Sequence, residues 1–491
     1  MCGALRVHGR RDRRCIPCHF SLFETRAAVT GGGSPNSRSA SVFDSTYRFS
    51  RWLSLFFLCT LAACDGNRGS SGPSGSTTSA GARTQHAAAA PQPPTYDREL
   101  EALNAGIERA IRFSAQRPDD GLLPLEAVSL YLERATLSGN YEDYKSAESL
   151  LALQDSRPSK PVSTCLAQAR LHFAVHRLKL AGSALDACPP TAERIEIAAM
   201  RADIDFYSGR YTEAETIYRA LVNQVGLPGH YVRLARLRNK MGSPGEAAAF
   251  AEAAEKRYHG GSATMKAWLK LQRGLIAWER GRLDEALALY NGALGELPGW
   301  WLIDEQIAEA KRLSGDAAGA RALFESIIQR GRRPEHMDEL ARLLREGKTP
   351  EAATEWIGSA AAIHRERLKA FPEASVGHAV DHFLQFGTPA EAEALARRNT
   401  ELRPFGEAQI ALAAALFRAG QAGAAADLIA RVEQSGWNTA QLHAIAAQIY
   451  AGLGRRAEAD AQRARAVSMN PYAMRLYPLA QPIQPELVSM L

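Results

Sequence analysis

Apolar and small residues recur along most of the chain with the spacing expected for paired helices. The clearest stretch begins at Gly274, where the absence of a side chain lets two helices approach closely. Gly281 then breaks the first helix and turns the chain. Ala286 and Tyr290 follow as a small contact residue and a gap-filling aromatic, and Pro298 ends the unit. The pattern therefore predicts a hairpin of two helices.

The hairpin pattern repeats along the chain. Thirty-four residues after Ala286 comes Ala320, with Gly315 before it and Phe324 after it. If the small residue of the second helix is taken as a marker, successive markers lie 32 to 40 residues apart. The ten markers are Tyr144, Ala181, Ala214, Ala247, Ala286, Ala320, Ala352, Ala392, Ala425 and Ala459. The repeated spacing therefore predicts an array of hairpins.

A glycine lies five residues before the marker in nine of the ten units. Only the second unit departs from this rule, because His176 occupies the position. The pattern is also irregular near Ala352, where residues 356–372 read as one extended helix. The glycines are Gly139, Gly209, Gly242, Gly281, Gly315, Gly347, Gly387, Gly420 and Gly454.

These small, aromatic and proline positions resemble those of the tetratricopeptide repeat. The resemblance implies an all-α fold, a right-handed superhelical α-solenoid of about six to ten hairpins over residues 97–475. An unrelated all-helical bundle is the alternative. Residues 476–491 contain several prolines and form a tail that covers the last hairpin or hangs free.

The start of the chain has the features of a secretory leader. Arg48 and Arg51 precede the apolar run WLSLFFLCTLAA, and Cys64 follows it. The L-A-A-C ending resembles the lipobox of bacterial lipoproteins, which implies that Cys64 is lipidated and that residues 1–63 are removed. A transmembrane anchor is the alternative, but about 12 apolar residues are too few to span a bilayer.

Residues 1–41 are unusual in front of such a leader, and we expect translation to begin near Val42. This segment contains Cys15, Cys18 and His19 in a C-x-x-C-H pattern typical of haem attachment. Because the motif precedes the export signal, we interpret the match as chance.

Residues 64–96 are rich in Gly, Ser, Ala and Pro, so they cannot bury a core and are expected to form a disordered tether. Asp65 follows the lipidated cysteine and resembles an inner-membrane retention signal in enteric bacteria. That rule varies, so the sequence leaves the choice between inner and outer membrane open. The expected location is the periplasmic side of the cell envelope.

The net charge of +6 does not indicate a nucleic-acid partner. Nine arginines and three acidic residues lie before Cys64, whereas the rest of the chain has 50 basic and 50 acidic residues. A basic balance confined to a leader says nothing about a polyanion, so no nucleic-acid binding is expected.

The exported part keeps two cysteines besides Cys64, and they are 23 residues apart on the two helices of one predicted hairpin. Antiparallel helices bring together residues whose numbers sum to a constant, so Cys165 should face Cys188. Since the compartment outside the cytoplasm permits disulfides, we predict this bridge.

Two histidine pairs have the i, i+4 spacing that places both rings on one helix face. They are His172 with His176, and His378 with His382. Neither pair has a third ligand at a suitable spacing, so solvated or packing histidines are expected and no metal or other cofactor is predicted.

The sequence contains no nucleophile elbow and no phosphate-binding loop, so we expect a binding protein and no enzyme. By resemblance to the repeat family, the first helices supply a concave groove for a partner, with aromatic residues between charges. The expected groove residues are Asp203, Phe206, Tyr207, Arg236, Asn239, Lys240, Trp268, Trp278, Glu279, Glu305 and Arg312.

Three functional hypotheses follow. The first is a lipid-anchored scaffold that binds a protein or peptide in an envelope assembly. The second is narrower, a scaffold for polysaccharide export that links a synthase to an outer-membrane pore. The third belongs to another class, a metal-handling binding protein that uses the histidine pairs.

Overall fold

The computed structural model describes residues 94–156, 161–347 and 349–479, all within the unit Asp44–Leu491. The leader, Cys64 and most of the tether lie outside the described residues, as does the tail from residue 480 onward. No helix in the described ranges has the length and apolar character needed to cross a membrane.

Twenty-two α-helices and no strand form the described part of the chain. In chain order they are α1 (Tyr96–Gln116), α2 (Leu122–Ser138), α3 (Glu142–Asp155), α4 (Thr164–Ala174), α5 (Leu178–Asp186), α6 (Arg194–Tyr207), α7 (Tyr211–Gln224), α8 (Pro228–Lys240), α9 (Pro244–Arg257), α10 (Ala263–Glu279), α11 (Leu283–Glu296), α12 (Trp301–Leu313), α13 (Ala317–Arg330), α14 (Pro334–Glu346), α15 (Pro350–Ala370), α16 (Pro372–Phe386), α17 (Pro389–Leu402), α18 (Gly406–Arg418), α19 (Ala422–Gln434), α20 (Ala440–Gly452), α21 (Arg456–Met469) and α22 (Ala473–Leu476).

Consecutive helices pack in pairs, and we number these pairs hairpins 1 to 10, from α2–α3 to α20–α21. Helix α1 packs on α2 before the first hairpin, and α22 follows the last. The predicted all-α solenoid of helical hairpins is confirmed. The number of hairpins is at the upper limit of the predicted range.

The marker residues lie where two helices meet. Ala214, Ala286 and Ala320 are fully buried, and the aromatic residues four positions later, such as Tyr290, are buried as well. A methyl group added at Gly274 would lie 2.5 Å from the ring of Tyr290, so a side chain at this position would force the ring to move.

The seventh hairpin differs from its predicted register by one residue. Ala352 is exposed and its neighbour Ala353 is fully buried, so Ala353 is the contact residue. The long helix expected here is present as α15, which ends where Pro372 follows Phe371.

Seven of the nine turn glycines adopt the left-handed conformation that glycine favours, whereas Gly347 and Gly387 do not. Gly281 has a φ of 69°, and His176, which replaces glycine in the second unit, has a φ of 62°. The second unit therefore has a histidine in place of the glycine but keeps the same backbone conformation.

Hairpins that are five or six units apart contact each other, so successive turns of the superhelix touch. One apolar cluster joins residues of hairpins 1–4, such as Phe206, to residues of hairpins 8–10, such as Trp437. Backbone groups take part in these contacts. The hydrogen bonds run from Trp301 Nε1 to the Leu137 carbonyl (3.0 Å), from Gly406 N to Tyr211 Oη (2.8 Å), from Asn438 N to the Lys240 carbonyl (2.8 Å) and from Asn470 Nδ2 to the Trp278 carbonyl (3.1 Å).

Candidate functional site

The predicted groove residues lie in the interior of the array, between contacting turns, and this corrects the expectation of an open groove. Nine of the eleven are buried, and Trp268 is 0% exposed. The remaining two, Arg236 and Glu279, are partly buried. The buried nine are Asp203, Phe206, Tyr207, Asn239, Lys240, Trp268, Trp278, Glu305 and Arg312. Residues of the next turn of the superhelix contact Phe206, Lys240 and Trp278.

Buried charges in this interior are neutralised by partners on neighbouring hairpins. Arg233 donates to both oxygens of Asp203 at 2.9 and 3.0 Å, and Tyr218 donates to the same carboxylate at 2.7 Å. Burial raises the pKa of Asp203, and the charge of Arg233 opposes that rise. Sequence reasoning missed Arg233, because its position has no place in the repeat signature.

Lys240 connects two turns of the superhelix. Its ammonium lies 2.7 Å from Glu279 and 2.8 Å from Glu407, which belongs to a hairpin five units later. Burial favours the neutral amine, but the two carboxylates outweigh burial and raise the pKa of Lys240 above its ordinary value. Lys240, which was predicted to contact a partner, thus forms an internal contact between two turns of the superhelix.

A second charge network lies at hairpins 6 and 7. Arg342 donates to Glu309 at 3.0 Å and also contacts Glu339. Arg312 lies 3.4 Å from both Glu309 and Glu346. Arg342 is 2% exposed and Glu309 is 0% exposed, so these charges depend on each other for compensation.

The histidines predicted as pairs do not act together. His176 lies beyond the end of α4, so it does not share a helix face with His172. His378 and His382 do share α16, but they contact different carboxylates. His378 Nδ1 is 3.4 Å from Glu335, whereas His382 Nδ1 is 2.7 Å from Asp338.

Asp338 is the centre of a cluster that the sequence spacing did not reveal. Its second oxygen lies 3.1 Å from Nε2 of His364 on α15. Asp338, His364 and His382 are buried, and their ligand atoms lie within 4.8 Å of one another. Burial raises the pKa of Asp338, but hydrogen bonds from both histidines outweigh it, and the pKa lies below its ordinary value.

The structure joins the predicted cysteine pair. Cys165 near the start of α4 is bonded to Cys188 just after α5, with Cα atoms 5.4 Å apart. This separation lies within the usual range for disulfides.

An open cleft of about 780 Å³ lies where hairpins 4 and 5 meet hairpins 9 and 10. Its walls carry three arginines, Arg280, Arg282 and Arg465, and one carboxylate, Glu433. Arg282 pairs with Glu285 at 3.2 Å, and Arg465 lies 3.6 Å from Glu433.

The guanidinium of Arg280 has no hydrogen bond or ion pair with any residue that the structure describes. Burial, reinforced by the charge of Arg282, lowers the pKa of Arg280 below its ordinary value. Among the described residues only the more distant charge of Glu285 opposes this effect, so the cleft has a partly buried cation without an ion pair there. This site was missed because its walls come from residues nearly 200 positions apart.

No family model matches the sequence, and no curated protein does. Solved structures with a similar arrangement of helices include a tetratricopeptide repeat protein from Parabacteroides merdae, which is 17% identical, covers 56% of this chain and 96% of its own, and has a TM-score of 0.31. Yeast Tom70 is 13% identical over 76% of this chain and 88% of its own, with a TM-score of 0.38.

The human IFIT1 dimer with PPP-AAAA is 14% identical over 86% of this chain and 95% of its own, with a TM-score of 0.39. Because all three identities are below 25% and all three TM-scores are below 0.5, these similarities carry no argument about function. The assignment to helical-repeat architecture rests on the ten hairpins.

Proposed function

We propose that this protein is an interaction scaffold that binds an acidic segment of a partner protein and is held at a membrane through lipidated Cys64. The observation that carries the binding proposal is Arg280 in the open cleft, a cation with no hydrogen bond or close ion pair to the described residues. A carboxylate from a partner would supply the missing ion pair, and charge-assisted hydrogen bonds to arginine are the stronger kind.

The cleft has the size and rigidity that a peptide site needs. A volume of about 780 Å³ lies within the range of ligand sites. The backbone bond from Asn438 to Lys240 and the fully packed Trp437 hold its two sides together. A preformed site loses little conformational entropy on binding.

The anchor proposal rests on the leader and on the segment after it. The Gly-, Ser- and Pro-rich composition of this segment predicts a tether of roughly 30 Å, so the array could search a shell of that depth above the membrane. Confinement raises the effective concentration of partners in the same membrane.

Binding is tested with a fluorescein-labelled glutamate-rich peptide and with a glutamine-rich peptide of equal length. We expect the acidic peptide alone to bind, more weakly as salt increases. The charge reversals R280E and R282E together should reduce its affinity at least tenfold.

The matched control is Arg321→Glu, because Arg321 is an exposed arginine on α13 that pairs with Glu325. This variant should bind the peptide as the wild type does. Equal binding by the R280E/R282E protein, or equal loss in the Arg321→Glu control, would reject the cleft as the site.

Anchoring is tested separately in cells fed a labelled fatty acid. Label should enter the wild-type protein and be absent from Cys64→Ala, which should also leave the membrane fraction. Label in the Cys64→Ala protein would contradict the assignment of the lipid to this residue.

A further inference from the structure

Three successive helices bring three metal-type ligands together in the interior of the array. Asp338 lies on α14, His364 on α15 and His382 on α16. The carboxylate oxygens of Asp338 lie 2.7 Å from Nδ1 of His382 and 3.1 Å from Nε2 of His364. Both rings therefore direct a nitrogen at the same carboxylate.

We propose that Asp338, His364 and His382 form a binding site for a divalent transition metal ion, with zinc as the best match. Imidazole nitrogen and carboxylate oxygen are common zinc ligands. If both oxygens of Asp338 bind, two imidazoles and one carboxylate fill four coordination positions.

The spacing of the two rings agrees with this chemistry. Imidazoles bound to one tetrahedral zinc ion, with nitrogens about 2.0–2.1 Å from the metal, have ring centres roughly 5 Å apart. The ring centres of His364 and His382 are 5.0 Å apart. Only small side-chain shifts are needed, since all ligand atoms lie within 4.8 Å of one another.

Other buried histidines in the described ranges behave differently. His378 faces Glu335 and His336 faces Glu305, so each of these two contacts a single carboxylate. No second group of three such ligands converges in the part of the chain that the structure describes.

His364 adds a further indication. It is 1% exposed, and its Nδ1 is buried without a hydrogen-bond partner, so its polar contact is made at the cluster. The ring of His382 is enclosed by Phe383 and Phe386, with ring centres 4.8 and 5.5 Å away. Such a closed, dry site suits a structural ion more than a catalytic one.

A bound ion would connect hairpin 7 to hairpin 8 at the place where the repeat is most irregular. It would stabilise the array by mass action, because the unfolded chain does not bring these three residues together.

The test uses the full chain in detergent, stripped of metal with a chelator and titrated with Co²⁺, whose visible absorption reports coordination. We expect one Co²⁺ per chain at this site, displaced by Zn²⁺, and a zinc-dependent rise in the midpoint of thermal unfolding. H364Q and D338N should each weaken binding at least 100-fold and abolish that rise.

The matched control is His378→Gln, which removes the other member of the sequence pair and leaves the cluster intact. It should keep both the cobalt spectrum and the zinc-dependent stabilisation. Any chain that still carries the leader would show a separate near-ultraviolet cobalt–thiolate band from Cys15 and Cys18. This band is distinct from the spectrum of nitrogen and oxygen ligands.

The proposal is overturned if the wild-type chain takes up no Co²⁺ at submillimolar concentration. It is also overturned if H364Q and D338N, shown to be folded by circular dichroism, bind as the wild type does.

Discussion

The fifth hairpin, α10–α11, and the segment α14–α16 belong to the same array but are stabilised in different ways. The fifth hairpin is held by small and aromatic residues, with Gly274 against the ring of Tyr290. The later segment buries Asp338 and Arg342 in polar clusters. Contacts within a hairpin follow the repeat signature, whereas contacts between hairpins and between turns depend on residues outside that signature.

The comparison predicts that removing one member of a buried ion pair in α14–α16 costs more stability than removing one member of an exposed pair. Arg342→Met should destabilise the protein by about 3–5 kcal/mol, because Glu309 and Glu339 would lose a buried cation. Chemical denaturation measures the loss. The control Arg321→Met breaks an exposed pair and should cost no more than about 1 kcal/mol. Similar losses for both variants would remove the distinction between the interior and surface pairs.

As the pH falls, we expect the segment α14–α16 to lose stability at a higher pH than the fifth hairpin. Burial, partly offset by the charge of Glu335, lowers the pKa of His378 to about 4. In the unfolded chain this histidine binds a proton below about pH 6.5, while in the folded protein it stays neutral. The unfolded state is thus favoured as the pH falls, by up to roughly 3 kcal/mol between pH 6.5 and 4.

His378→Gln should therefore reduce the slope of unfolding free energy against pH in this window. His230, whose pKa burial also lowers to about 4, contributes to the remaining slope. His259→Gln changes an exposed histidine and should leave the slope unaltered. A slope in His378→Gln equal to that of the wild type would show that His378 is protonated in the folded state.

The fifth hairpin should lose stability when side-chain volume is added at its close helix contact. Gly274→Ala would place a methyl group 2.5 Å from the Tyr290 ring, so we expect a loss of about 1–3 kcal/mol. Gly295→Ala on the second helix of the same hairpin adds a methyl with no heavy atom within 4 Å. That control should be neutral or stabilising by about 0.5–1 kcal/mol. If the two variants unfold at the same denaturant concentration, close packing at Gly274 is not a constraint.

The repeat signature was readable because it consists of local rules. Ala286 and Gly281 have one task each, a close helix contact and a left-handed turn, and both follow from residue size and backbone freedom. His176 shows the limit of such rules, since a histidine there adopts the same φ range. At Ala352 the glycine rule placed the contact residue one position too early, at a turn where Gly347 is not left-handed and Ala353 is the buried residue.

The predicted groove was wrong about exposure for a physical reason. An isolated stack of hairpins leaves its inner face open, and Trp268 and Glu305 were assigned to that face. Whether the next turn covers this face depends on small rotations between hairpins, which accumulate along the array. No local spacing records those rotations, so the closure of the inner face could not be read from the sequence.

The sequence by itself determined the helices, their pairing into hairpins and the place of each small contact residue. It could do so because these features depend on neighbours within about forty residues. Only the tertiary structure decided which charges meet, that the inner face is closed, and that Arg280 lines an open cleft with no close ion pair among the described residues. Those outcomes depend on contacts between hairpins up to six units apart, where the geometry of the superhelix selects the partners.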